Sequence, residues 1–244
     1  MSATGTWKSS AFANGRFVAV SDTSGTSAYS VDGINWVAMT GLASATFNSV
    51  AAGAISSTTY YVTVAGSTAT TVAYYSTNGT SWTAMTGLQS GTYTSVRYGN
   101  GRFVATSSLY TYSAYSFDGI TWTASAMQVQ ADSLTYGQGV FLALKTGSST
   151  GYTSEDGIMW RARSVTSTTY TNATFGYTST NYTGVFVTVG STANGTNISA
   201  GTRTKGRAIV NTGQITQMNL FEPNHQRYSR FHQNFLHLYK FSHW

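Results

Sequence analysis

Tyr29-Ser30-Val31-Asp32-Gly33-Ile34-Asn35-Trp36 is a stretch that recurs. It returns as Tyr75-Ser76-Thr77-Asn78-Gly79-Thr80-Ser81-Trp82, as Tyr115-Ser116-Phe117-Asp118-Gly119-Ile120-Thr121-Trp122, and as Thr153-Ser154-Glu155-Asp156-Gly157-Ile158-Met159-Trp160. The tryptophans stand 82 − 36 = 46, 122 − 82 = 40 and 160 − 122 = 38 residues apart. A period of about 40 residues marks a solenoid, a propeller or a repeat array. Locally, Asp-Gly or Asn-Gly between alternating apolar runs is a strong signal for a tight hairpin. Glycine accepts positive φ at little steric cost, and Asp or Asn hydrogen-bonds its own turn. Each copy is expected to be strand, turn, strand. Asp32-Gly33, Asn78-Gly79, Asp118-Gly119 and Asp156-Gly157 make the turns, and Trp36, Trp82, Trp122 and Trp160 are packing anchors on the strands that follow.

A second piece precedes each box. It reads Asn14-Gly15-Arg16-Phe17-Val18-Ala19-Val20 and Asn100-Gly101-Arg102-Phe103-Val104-Ala105-Thr106, with variants around Phe141 and Phe186 and a glycine-free version around Tyr61. One repeat is therefore strand, glycine turn, apolar strand, loop, strand, Asp-Gly turn, strand. Four short antiparallel strands in each repeat are the blade of a β-propeller. Counting the apolar second strands gives an all-β propeller of about five four-stranded blades over residues 6–213. The fifth lacks a tryptophan box. A parallel β-helix is the structural alternative, although its rungs are shorter and need no pair of glycine hairpins.

Residues 214–244 differ. They hold all four histidines and the single proline, Pro223. Tyr228, Phe231, Phe235 and Leu238 follow at spacings of 3, 4 and 3, the face of an amphipathic helix beginning near Asn224. With Trp244 they form an aromatic C-terminal segment expected to cap the propeller or anchor it to a partner.

Composition narrows the function. Of 244 residues only 8% are charged, against a usual quarter, while 41% are apolar. A weakly charged surface rich in Ser, Thr, Gly, Asn and Tyr suits long exposure outside a cell. The net charge of +6 is spread thinly, so nucleic acid is not an expected partner. Without cysteine there is neither a disulfide framework nor a thiolate metal site. The first residues lack the pattern of a signal peptide, and no apolar run reaches membrane-spanning length. Together these suggest a chain that leaves its host inside a virus particle, without membrane insertion. The Asn-x-Ser/Thr triplets at Asn78, Asn172, Asn181, Asn194 and Asn197 read as coincidence in so Ser/Thr-rich a chain.

The boxes resemble the Asp-box, or BNR, repeats of sialidases and related propellers, whose pattern is Ser-x-Asp-x-Gly-x-Thr-Trp. Here Asp and Gly are adjacent, as in Ser30-x-Asp32-Gly33-x-x-Trp36, one residue shorter. The pairing of an N-G-x-F-V-A-V strand with a S-x-D-G-x-x-W turn is also similar to tandem repeats in tailed-phage virion proteins. This resemblance spans most of residues 6–213. It implies a propeller whose boxes are structural turns far from the binding face, in a fibre, tail or capsid-decorating protein.

Candidate chemistry is sparse. Asp32, Asp118 and Asp156 occupy equivalent turns, so a propeller spreads them around one rim. A glycosidase needs two carboxyl groups about 5–10 Å apart. The arginine motif of sialidases is absent, and the chain is expected not to be an enzyme. His225, His232, His237 and His243 lie 7, 5 and 6 residues apart and give no i, i+4 metal pair, so neither metal nor cofactor is expected. Arg203, Lys205 and Arg207 alternate on one strand face, either as a solvated stripe or as a docking stripe. Phe47, Tyr93, Tyr110, Tyr112 and Tyr170 fall in loops and connections at the end opposite the boxes. There they either bind sugars or protein surfaces or pack between blades. The expected function is a structural or attachment component of a phage particle, docked by residues 214–244 on other virion proteins or on itself. The alternative is a propeller that recognises a host-surface glycan.

Overall fold

Within residues 5–218 the computed structural model describes all but 24–25, 44, 67–72, 90, 110, 127–129, 166–168, 178–183, 193–194, 203–207 and 213. Side chains are described as far as Val189, except those of residues 112, 126 and 169–171.

The chain builds sheets in sequence order. The first holds β1 (Trp7–Ala13), β2 (Arg16–Ser21), β3 (Ala28–Ser30) and β4 (Val37–Ala38). The second holds β5 (Phe47–Ile55), β6 (Thr58–Ala65), β7 (Ala73–Ser76) and β8 (Thr83–Ala84). The third holds β9 (Tyr93–Gly99), β10 (Arg102–Ser107), β11 (Tyr112–Ser116) and β12 (Thr123–Ala126). The fourth holds β13 (Ser133–Gly137), β14 (Val140–Leu144), β15 (Thr150–Ser154) and β16 (Arg161–Ser164). Each is a four-stranded antiparallel meander. A fifth, three-stranded sheet follows as β17 (Thr169–Tyr177), β18 (Gly184–Thr192) and β19 (Gly195–Thr202), then a hairpin of β20 (Ala208–Thr212) and β21 (Gln214–Met218).

The first two strands of three sheets are joined by two-residue turns whose residues both have positive φ: Asn14-Gly15, Asn100-Gly101 and Gln138-Gly139. This geometry matches the right-handed twist of the strands it joins. Of the about five four-stranded blades expected, four are four-stranded sheets among the described residues, and the fifth is a three-stranded sheet. The fifth repeat carries no Asp-Gly pair; its three-stranded sheet is followed by the β20–β21 hairpin, with β20 beside β19. β20 and β21, which lie on either side of the boundary expected from the composition, pair with each other. The helix expected from Asn224 lies outside the described residues.

First strands of successive sheets lie beside one another. Serine hydroxyls link them. Val50 N–H donates to Ser9 Oγ at 3.1 Å, and Val96 N–H donates to Ser49 Oγ at 3.1 Å. The sheets stack face to face, and the core is a series of apolar layers between them. Val18 and Val20 meet Phe47, Val50, Tyr61 and Trp82; Val62 and Val64 meet Tyr93, Val96, Phe103 and Trp122. Val104 meets Leu134, Phe141 and Tyr152, and Val140, Leu142 and Leu144 meet Phe186. Each buried aromatic side chain of these layers contributes about 1.5–3 kcal/mol through burial.

A second contact recurs at these layers. An aromatic ring near the end of a first strand lies on a glycine of the preceding sheet: Tyr98 on Gly53, Tyr136 on Gly99 and Phe175 on Gly137. A Cβ at any of those glycines would come under 3.0 Å from ring carbons. The tyrosine hydroxyls reach on to the hairpin beyond the glycine. Tyr136 donates to Asn100 Oδ1 at 2.7 Å and Tyr98 donates to the Ala54 carbonyl.

Candidate interaction face

In a meander, the turn between strands one and two shares an end with the turn between strands three and four. The Asn-Gly hairpins and the Asp-Gly boxes therefore occupy one end of the stack, with the remaining loops at the other. Within a box the polar atoms turn inward. Ser30 Oγ donates to Asp32 Oδ1 at 2.8 Å and accepts from Gly33 N–H at 2.9 Å. Asp32 Oδ1 also accepts from the N–H groups of Ile34 and Asn35 at 2.8 and 2.7 Å. The same network recurs at Ser76-Asn78, Ser116-Asp118 and Ser154-Asp156. Gly33, Gly79, Gly119 and Gly157 all have positive φ, between 68° and 74°.

These bonds set the electrostatics. Asp32 is held well below the ordinary carboxylate pKa by the backbone N–H and side chain of Asn35, then by Ile34 N–H and the Ser30 hydroxyl. For Asp118, partial burial pushes its pKa up, but the hydroxyl and N–H of Thr121 and the N–H of Ile120 outweigh it, and the net shift is downward. Asp156 is lowered the same way, with burial opposed by the N–H groups of Ile158 and Met159. These carboxylates are ionised hydrogen-bond acceptors committed to their own turns, which makes them poor proton donors.

With its polar atoms used internally, the turn directs other side chains outward. Val31, Ile34, Phe117 and Met159 are exposed, Ile34 to 80% and Met159 to 74%. Two arginines from the Asn-Gly-Arg hairpins join them. The Arg102 guanidinium lies over the Phe117 ring, 4.6 Å from its centroid, and donates to the Asp156 carbonyl at 2.9 Å. Arg16 lies over Tyr29, 5.3 Å from the ring centroid, and donates to the Asn78 carbonyl. Aromatic, Met and Arg side chains are the types enriched where proteins bind one another.

Of the aromatic residues expected at the opposite end to bind or to pack between blades, two pack. Phe47 is 2% exposed and Tyr93 0%, and both belong to layers between sheets, so neither can form a binding face. Each opens a first strand on the side facing the preceding sheet, where packing takes the ring. Tyr112 and Tyr170 lie in β11 and β17, with side chains outside the description, and Tyr110 lies outside the described residues. So do Arg203, Lys205, Arg207, Tyr228, Phe231, Phe235, Leu238 and Trp244. Of the box tryptophans, Trp82 and Trp122 are buried at 5% exposure, while Trp36 and Trp160 are half-buried. The outward residues Val31, Ile34, Phe117 and Met159 were not singled out from sequence. Their signal is an apolar residue at a variable position of a turn whose conserved-type polar positions face inward. Among the described residues no cluster of three or more His, Asp or Glu is arranged to hold a metal, and no helix is long and apolar enough to cross a membrane.

No protein family known from sequence matches the chain, and no curated protein resembles it in sequence. Solved structures do, and they define the class: the fold is that of β-propeller proteins. YCF48 bound to a D1 peptide is 16% identical, matching 89% of this chain and 82% of that one with a TM-score of 0.55. The nidogen/laminin complex is 9% identical over 88% of this chain and 80% of that one, TM-score 0.52. Hydrazine synthase of Kuenenia stuttgartiensis is 7% identical over 87% of this chain and 66% of that one, TM-score 0.59. Identities this low show the fold alone, and nothing in them bears on the resemblance to phage proteins. They do correct the expectation that the chain is not an enzyme. Hydrazine synthase, an enzyme, shares this fold, so the architecture does not separate binding from catalysis.

Proposed function

We propose that this chain is an attachment module: a propeller that presents its Asp-Gly-turn end to a protein partner. The observation that carries this reading is the exposure of Val31, Ile34, Phe117 and Met159 at that end, interleaved with Arg16 and Arg102. Apolar side chains gathered at one end of a polar molecule mark an interaction surface. Propellers carrying a peptide or protein partner, in the YCF48–D1 peptide and nidogen/laminin structures, lend support. The finer assignment is a component of a virus particle, with residues 214–244 docking it on other virion proteins. It rests on the repeat resemblance, the weakly charged composition and the aromatic C-terminal segment.

A photo-crosslinking amino acid placed at Phe117 or Met159, with Leu109 at the opposite end as control, tests the face. The expected result is a crosslinked protein partner from positions 117 and 159 and none from 109. Crosslinks from 109 alone would reverse the orientation. Binding on a glycan array that is lost in Tyr112→Ala would replace the protein partner with the sugar reading, which retains Tyr110, Tyr112 and Tyr170. Deleting residues 214–244 tests the finer claim: a truncated chain that still assembles on its particle removes the anchor.

A further inference from the structure

The contact that joins one sheet to the next has two halves, and among the described residues each end of the stack leaves one of them without its counterpart. At three internal steps an aromatic ring of the later sheet sits on a glycine of the earlier one. Strand register identifies the equivalents at the ends. Tyr98, Tyr136 and Phe175 pair across to Phe103, Phe141 and Phe186, just as Phe12 pairs to Phe17. Phe12 is therefore the ring of the first sheet, and it is 58% exposed. Phe17 beside it is half-buried, whereas Phe103, Phe141 and Phe186 are 0%, 0% and 1% exposed. Gly176 follows Phe175 as Gly99 follows Tyr98 and Gly137 follows Tyr136, which makes it the glycine of the fifth sheet. No described atom lies within 4 Å of where its Cβ would be. Val185 pairs across from Gly176 on the same side of the sheet. The next valine on that side, Val187, is half-buried, whereas Leu142, its counterpart in the fourth sheet, is fully covered by the fifth.

We propose that these ends are two halves of one contact, so that Phe12 of one copy seats on Gly176 of a second copy and the chain self-associates head to tail. The ring would complete its half-buried pair with Phe17, and the glycine would receive the side chain its backbone is shaped to admit. Phe12, Phe17 and Ala19 on one side and Gly176, Val185 and Val187 on the other carry no charge, so a net charge of +6 places no like-charge pair in the contact. A heterologous contact of this kind closes into a ring of copies or extends as a filament, according to the rotation per step. The inference is independent of the partner assigned to the Asp-Gly-turn end, since it uses neither that face nor residues 214–244.

The absence of cysteine permits a direct test in the full-length chain. In a Phe12→Cys/Gly176→Cys double variant, mild oxidation is expected to give a ladder of covalent oligomers on a non-reducing gel. A monomer closed by an internal disulfide would show that the first and fifth sheets meet within one chain. It would overturn the proposal, as would the absence of any disulfide. Sedimentation velocity provides the second measurement. Wild type is expected to associate with rising concentration, and Phe12→Ser and Gly176→Val each to weaken association about tenfold or more, as loss of a buried aromatic anchor does. Mixing the two variants leaves one intact ring and one intact glycine between them, so the mixture is expected to form a dimer and nothing larger. A wild type that stays monomeric throughout, or two folded variants that fail to pair, would also overturn it.

Discussion

At the scale of the residue, glycine identity matters less than what faces it. Gly137 and Gly176 both follow an aromatic residue near the end of a first strand, yet only Gly137 is covered, by Phe175. Gly137→Ala would drive a methyl group into that ring, and overpacking of a close contact costs about 1–3 kcal/mol. Gly176→Ala meets no described atom and is expected to stay within about 0.5 kcal/mol of wild type. Urea titration of the two variants, at concentrations too low for association, measures the difference. The sequence displays Tyr98-Gly99 and Tyr136-Gly137 in plain view, but the ring that lands on each glycine comes from the following repeat. No local pattern reports it. For Phe47 and Tyr93 the sequence leaves a binding face and packing between blades equally open for a related reason: an aromatic at the start of a strand looks the same whether its ring faces solvent or a neighbouring sheet.

Strands and turns were more legible, because their causes are local. The box period and its Asp-Gly or Asn-Gly pairs locate four hairpins, each closing a four-stranded sheet. The box also holds its own control, since Asn78 in the second sheet accepts the same backbone donors as the aspartates elsewhere, at 2.9 and 3.0 Å. What the turn requires is a side-chain oxygen and not a negative charge. Asp156→Asn keeps the acceptor and is therefore expected to fold, losing at neutral pH only what the negative charge adds and less than Asp156→Ala. Asp156→Ala, which leaves the N–H groups of Ile158 and Met159 without their acceptor, is expected to lose about 1–2 kcal/mol. The pH dependence has a defined sign. Asp32, Asp118 and Asp156 all have folded-state pKa values below the ordinary 3.8. Their contribution is complete above the unfolded-state value and is lost as pH falls from there through the folded values. Denaturation midpoints should hold steady from neutral pH down to about pH 5 and then fall. The fall should be shallower in a variant with all three aspartates changed to Asn.

For the whole molecule, the stacked arrangement predicts a gradient of stability, since each sheet is held by the sheets on either side. The third sheet has a neighbour on both faces, and Phe103 is fully enclosed. Among the described residues the first has one only, with Phe12 exposed and Phe17 and Trp36 half-buried where their counterparts in the third sheet are buried. Phe103→Ala is expected to cost about 3–5 kcal/mol, the range for deleting an enclosed ring. Phe17→Ala should cost about half as much, because part of its surface is already in water. Hydrogen exchange gives the same gradient without mutation. At low protein concentration, amides of β9 and β10 should open only with global unfolding, while those of β1 and β2 should exchange through a cheaper local opening. Uniform protection across the four complete sheets would mean that something covers the first sheet within a single chain. Head-to-tail pairing predicts a change with concentration. As copies associate, β1 and β18 should gain protection together while β9 and β10 stay as they were, because the contact adds a neighbour only to the two sheets that have a single one among the described residues.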